Sequence, residues 1–186
     1  MKKKVQAKKR SRTYMWVAAG VVLLATTYFL FGKNEIQPTP TATGYALPPG
    51  EVSGVAPAFT LSDVEGRQVS LAQFKGKVVI LDFLATWCPP CKREIPDFIK
   101  LQSEYGAKGV QIVGIALDQP EKVKAFVREN GMNYPVLMGT DEVSGHYGGV
   151  ESIPTTFIID KAGRIVTKYE GFRSKETFES QIKKLL

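Results

Sequence analysis

Cys88 and Cys91 stand three positions apart and are the only cysteines in a chain of 186 residues. A bond between them would close a very short loop and restrain the unfolded chain little, so stapling explains them poorly. A structural zinc site takes four ligands, and the chain offers no second cysteine pair and one histidine, His146. Reversible dithiol chemistry remains, with no metal or cofactor called for. The pair follows the apolar run Val78 to Leu84 and precedes a stretch of helical periodicity, which puts it at a helix N-terminus. Free N–H groups and the positive end of the helix dipole stabilise a thiolate there. Cys88, at the cap and expected to meet solvent, is the candidate attacking sulfur. Cys91, in the first turn, would resolve the mixed disulfide by internal attack. Trp87 is placed to shield one side of the pair.

Two carboxylates accompany the cysteines. Asp82 interrupts the apolar run six residues before Cys88, and a buried carboxylate without a partner is pushed toward its protonated form. Glu94 is three residues beyond Cys91, on the same helix face. By spacing alone it reads as an ordinary solvated helix carboxylate. Lys92 and Arg93 read as solvent charges.

The surrounding pattern must position these groups. Phe59, Leu61, Val64, Val69 and Leu71 bracket the turn Glu65-Gly66 and predict a hairpin. Val78 to Leu84 predicts a strand covered on both faces. Ile95, Phe98, Leu101 and Tyr105 give the following helix its apolar face, and Pro96 within it predicts a kink. Val110 to Leu117 predicts a second buried strand, and Pro120 opens a helix carrying Val123, Phe126 and Val127 inward. After a short strand, Thr155 to Ile159 and Ile165 to Tyr169 flank Lys161-Ala162-Gly163 as an antiparallel hairpin. Ser174 then caps a last helix with Phe178, Ile182 and Leu185 on one side. The sum is an α/β domain with a mixed sheet over residues 57–186.

The formal net charge of +7 is concentrated at the N-terminus. Residues 1–12 hold seven of the 25 basic residues and no acid, and the other 18 basic residues balance 18 acidic ones. That distribution argues against a nucleic-acid surface, which would spread basic residues over a folded face. Residues 13–32 carry no charge, and roughly twenty apolar residues suffice to cross a hydrocarbon core of about 30 Å. We therefore expect a transmembrane anchor with its basic flank cytoplasmic and the remainder outside. A cleaved signal peptide is the competing reading, although no small-residue cleavage site directly follows Phe31 and Gly32. Residues 33–56, with Pro38, Pro40, Pro48 and Pro49, read as an extended linker.

From Ala56 onward the chain resembles the ResA/TlpA-type membrane-anchored thioredoxin-like thiol-disulfide oxidoreductases of the AhpC/TSA redoxin superfamily. The matching residues are Pro57-Ala58-Phe59, Lys75-Gly76-Lys77, Trp87-Cys88-Pro89-Pro90-Cys91, Glu94, Pro96 and Ile153-Pro154-Thr155-Thr156-Phe157-Ile158-Ile159-Asp160. The resemblance implies a thioredoxin-like fold, a central insertion over Asp118 to Gly149, and a cis Ile153-Pro154 peptide facing the cysteines. A substrate segment would then pair beside Trp87, Ile153 and Pro154. It implies that Glu94 modulates cysteine ionisation and that Asp82 resembles the buried acid of thioredoxin. Many ResA-like relatives carry asparagine at that place, so Asp82 is a departure toward a more thioredoxin-like mechanism. It further implies a bacterial cell-membrane location, protein disulfide substrates such as the Cys-x-x-Cys-His segment of apocytochrome c, and electrons from a CcdA-type membrane protein.

A peroxiredoxin shares much of the pattern but needs Thr or Ser three residues before its reactive cysteine, where this chain has Ala85. The upstream proline is replaced by Leu81. A redox-inactive tethered binding module is disfavoured by the intact cysteine pair.

Overall fold

The computed structural model describes residues 54–186; the basic tail, the expected anchor and most of the expected linker lie outside the described residues. Eight strands and four α-helices follow in chain order. They are β1 (Gly54–Val55), β2 (Thr60–Ser62), β3 (Gln68–Ser70), β4 (Val78–Leu84), α1 (Pro89–Tyr105), β5 (Val110–Ala116), α2 (Pro120–Glu129), β6 (Val136–Met138), α3 (Asp141–His146), β7 (Thr155–Ile159), β8 (Arg164–Glu170) and α4 (Lys175–Leu185). Six strands form one mixed sheet in the order β1-β8-β7-β4-β5-β6, and β2 pairs with β3 as a separate hairpin. β4 is central, parallel to β5 and antiparallel to β7.

Every residue of β4 is buried, as an apolar run broken only by Asp82 requires of a strand covered on both faces. Alternation sorts its side chains. Val78, Ile80 and Leu84 pack with Phe98 and Leu101 of α1, Val123 and Phe126 of α2, and Phe178 and Ile182 of α4. Val79, Leu81 and Phe83 pack on the other side with Phe59, Leu61, Val143, Tyr147 and Phe157. Tyr147 lies at the centre of the second layer, its ring 5.5 Å from Phe83 and 5.1 Å from Phe157, and its hydroxyl donates to the Pro57 carbonyl at 2.9 Å.

Three details differ from the sequence reading. Gly54 and Val55, within the stretch taken as linker, pair with Ile165 and Arg164 as an edge strand. α3 was not expected; Thr140 caps it by accepting from the Val143 N–H at 3.2 Å, but six residues are too few to show periodicity. Ser174 occupies the N-cap of α4 without accepting a capping bond from the backbone. α1 is continuous through Pro96, which has no N–H to donate within the helix.

Candidate active site

The C-terminal end of β4 runs through Ala85, Thr86 and Trp87 into Cys88, the N-cap of α1. Pro89 and Pro90 occupy the first helical positions, where a missing N–H is no loss. The first available donor is the Cys91 N–H, which points at Cys88 Sγ over 3.2 Å. Cys88 and Cys91 are joined by a disulfide. Ile153-Pro154 is a cis peptide, and the Ile153 carbonyl oxygen lies 3.7 Å from Cys88 Sγ. The sulfur carries no proton in the disulfide, so this is a contact and not a hydrogen bond.

The expectation that Cys88 meets solvent is corrected. Cys88 is 2% exposed and Cys91 1%, whereas Trp87 beside them is 66% exposed. The N-cap geometry turns Cys88 Sγ inward toward the Cys91 N–H, and the Ile153 carbonyl closes over it. Trp87 is the outward part of the site, and its loop is tied down by Thr86 Oγ1, which donates to Asp118 Oδ2. That hydroxyl bond, followed by the Gln119 N–H, holds Asp118 below the usual carboxylate range. Nothing in the sequence marked Thr86 and Asp118, because they meet across 32 positions.

Beneath the cysteines lie two buried acids. Asp82 sits on the face of β4 that α1 covers, and accepts from Thr156 Oγ1 of β7 at 3.0 Å. Burial raises its pKa well above the ordinary range, the charge of Glu94 adds to this, and the Thr156 bond pulls the other way. Glu94 is fully buried on the inward side of α1 with Cys91, which rules out the solvated reading. Its Oε1 accepts from the Arg173 backbone N–H at 2.6 Å. Burial lifts Glu94 to about 7, against the lowering effects of the Arg173 N–H and of the Arg173 and Arg93 charges. Both buried acids are thus held toward their protonated forms, and at Asp82 the charge of Glu94 adds to the effect of burial.

The loop after β8 connects these parts. Gly171 N–H donates to the Pro154 carbonyl at 2.7 Å, Phe172 lies under the Arg93 guanidinium at 4.6 Å, and Arg173 holds Glu94. Arg93 is thus a solvent charge that also covers a ring. All the sequence-derived candidates, Asp82, Trp87, Cys88, Cys91, Glu94, Ile153 and Pro154, meet at one end of the sheet. Thr156 and Arg173 join them and were not singled out beforehand. Thr156 stands two places after Pro154, but only strand register sets it opposite Asp82.

The AhpC/TSA family model matches residues 52–168. The thiol-disulfide oxidoreductase ResA of Bacillus thuringiensis subsp. konkukian is 38% identical over 137 residues, covering 73% of this chain and 79% of the relative. The chain belongs to the ResA-type thiol-disulfide oxidoreductases. ResA of Geobacillus thermodenitrificans is 33% identical over 181 residues, covering 96% of this chain and 98% of its own. Among solved structures, a thiol:disulfide interchange protein of the thioredoxin family from Chlorobium tepidum is 38% identical, with a TM-score of 0.66 over 75% of this chain and 97% of that one. The fold is thioredoxin-like and the chain is a thiol-disulfide oxidoreductase.

Proposed function

We propose that this oxidoreductase is a membrane-tethered, extracytoplasmic disulfide reductase that acts on exported protein substrates through Cys88 and Cys91. The observation that carries the reading is the cysteine pair at the start of α1, above two buried acids and beside the Ile153 carbonyl. In the reduced protein, the Cys88 thiolate attacks one sulfur of a substrate disulfide. That S–S bond breaks, a mixed disulfide forms, and one substrate thiolate leaves. Cys91 gives its proton to the carboxylate pair beneath it, and its thiolate attacks Cys88 Sγ. The Cys88–Cys91 disulfide forms and the second substrate thiolate leaves. The two substrate thiolates end as thiols, so the substrate gains two electrons and the enzyme loses them. A membrane dithiol donor of CcdA type returns them by the same exchange in reverse.

Docking uses what surrounds the sulfur. Trp87 offers an apolar face, and the backbone at Ile153 can pair with an extended substrate segment. A Cys-x-x-Cys-His stretch of apocytochrome c is extended, exposed and disulfide-forming, and it fits this requirement. The uncharged segment 13–32 behind a basic flank supports the tether and its orientation.

The test is a full-length Cys91→Ser variant expressed in the bacterial membrane, where resolution is blocked and mixed disulfides accumulate. Recovery of exported Cys-x-x-Cys proteins, apocytochrome c among them, is the expected result. Cytosolic partners alone, or none, would overturn the proposal.

A further inference from the structure

Two buried side-chain polar atoms among the described residues have no hydrogen-bond partner in the protein: Glu94 Oε2 and Tyr134 Oη. Both belong to the same region. Tyr134 leads into β6 and is buried in the layer that holds the cysteines, its ring edge-on to Phe98 at 6.3 Å and 89°. Phe98 is one helical turn beyond Glu94. Asn133 fixes the approach, because its Nδ2 donates to the Ile99 carbonyl at 3.1 Å and to Ser103 Oγ at 2.9 Å, both on α1. Register brings the third member near, since Asp82 lies opposite Gly114 and Gly114 opposite Val136, two residues from Tyr134. Gly114 puts no side chain between them, and a Cβ there would come within 3.1 Å of Leu84 Cδ2. Burial first, then the charges of Asp82 and Glu94, push the Tyr134 phenol well above its ordinary range, so it is a donor and never a phenolate.

A lone phenol and a lone carboxylate oxygen buried together carry two desolvation penalties. Buried groups of this kind are satisfied by an internal water with two to four polar partners. We propose that Tyr134 is a positioning residue of the redox site: through one internal water its hydroxyl donates to Glu94 Oε2 and ties Glu94 and Asp82 into one buried network behind Cys91. The inference rests on the dithiol reading above and extends it to a residue outside the motif. A donor on Oε2 favours the ionised form of Glu94, the form able to accept the Cys91 proton. Asp82 of β4, Arg93 and Asp97 of α1, and Arg173 of the loop before α4 also act on these acids. None of them changes in a Tyr134→Phe variant, which also keeps the ring against Phe98.

The experiment follows the Glu94 carboxyl by NMR against pH in the full-length protein with labelled side-chain carboxyls, wild type beside Tyr134→Phe. The expected result is an upward shift of the Glu94 midpoint by about half a pH unit or more. The pH profile for Cys91 attack on a Cys88 mixed disulfide should move by the same amount, and Tyr134→Phe should add nothing in a Glu94→Gln background. An unchanged midpoint with an unchanged heat-unfolding temperature would overturn the proposal, as would a rate shift that persists in Glu94→Gln. The carboxyl midpoint is read without any substrate. A failed search for substrates would therefore count against the proposed function and leave this result standing.

Discussion

The Arg173 backbone N–H donates to Glu94 Oε1 over 2.6 Å, joining residues 79 positions apart. One buried carboxylate thereby fastens the loop whose Gly171 N–H holds the Pro154 carbonyl. Its charge is opposed by burial, and the two facts together set its pH behaviour.

Stability should fall as pH rises through the Glu94 titration. The folded value of about 7 lies above the ordinary 4.5, so the native state binds the extra proton between them and is favoured at the acid end. The loss starts near 4.5 and levels off above about 7, on the order of 2–3 kcal/mol for this group. Urea unfolding at pH 5 and pH 8 measures it. Glu94→Gln keeps an acceptor for the Arg173 N–H and removes the charge, so its slope should be smaller; an equal slope would place the titration elsewhere.

Asp82→Asn should slow resolution of the mixed disulfide by about tenfold or more near neutral pH, because protonated Asp82 can pass its proton to ionised Glu94 and take up that of Cys91, and asparagine can do neither. Stopped-flow reaction of the reduced enzyme with a model disulfide reads the second step. An unchanged rate reduces Asp82 to the hydrogen bond it makes with Thr156.

In the reduced protein Cys88 should be alkylated before Cys91, by at least about tenfold, the effect of one pKa unit on thiolate content. Accessibility does not supply the difference, since both sulfurs are buried in the disulfide. The Cys91 N–H favours a thiolate at Cys88, whereas Cys91 sits over two acids that oppose one. Mass spectrometry of partly labelled protein decides, and equal labelling refutes the division of roles.

Pro90→His should raise the reduction potential. Two prolines leave the Cys91 N–H as the first helix donor to Cys88 Sγ, so a histidine at position 90 adds a backbone donor and can add positive charge. Both stabilise the thiolate and hence the reduced state. Equilibration with glutathione should place the wild type toward about −270 mV and the variant above it. A wild-type value near roughly −120 mV would contradict the reductase reading.

The sequence was informative wherever chemistry or periodicity is local. The dithiol spacing, the buried run of β4 and the two hairpins all appear as expected, since a short window contains each. Glu94 was ambiguous because i, i+3 spacing from Cys91 says which face it shares and not whether that face is covered. Burial depends on α4 and on the loop at Arg173, contributed from the far end of the chain. Cys88 was misjudged for a related reason: the Ile153 carbonyl that closes over it comes from 65 residues downstream. Asp118 and Tyr134 carry no motif, Thr156 lies in one that gave it no role, and strand register alone gives them neighbours.

β1, only two residues long, borders β8 at Ile165 and Arg164. At the opposite margin β6 has three residues, and Asp63 of the hairpin bridges to Leu137 there. Both rims of the sheet are therefore poor templates for another chain's strand. A shortened protein that starts at Ala56 would strip the cover from Ile165 while leaving the redox end intact. Such a fragment would keep its thiol chemistry yet self-associate more readily than one that starts before Gly54, so solubility and activity would part company at that two-residue boundary.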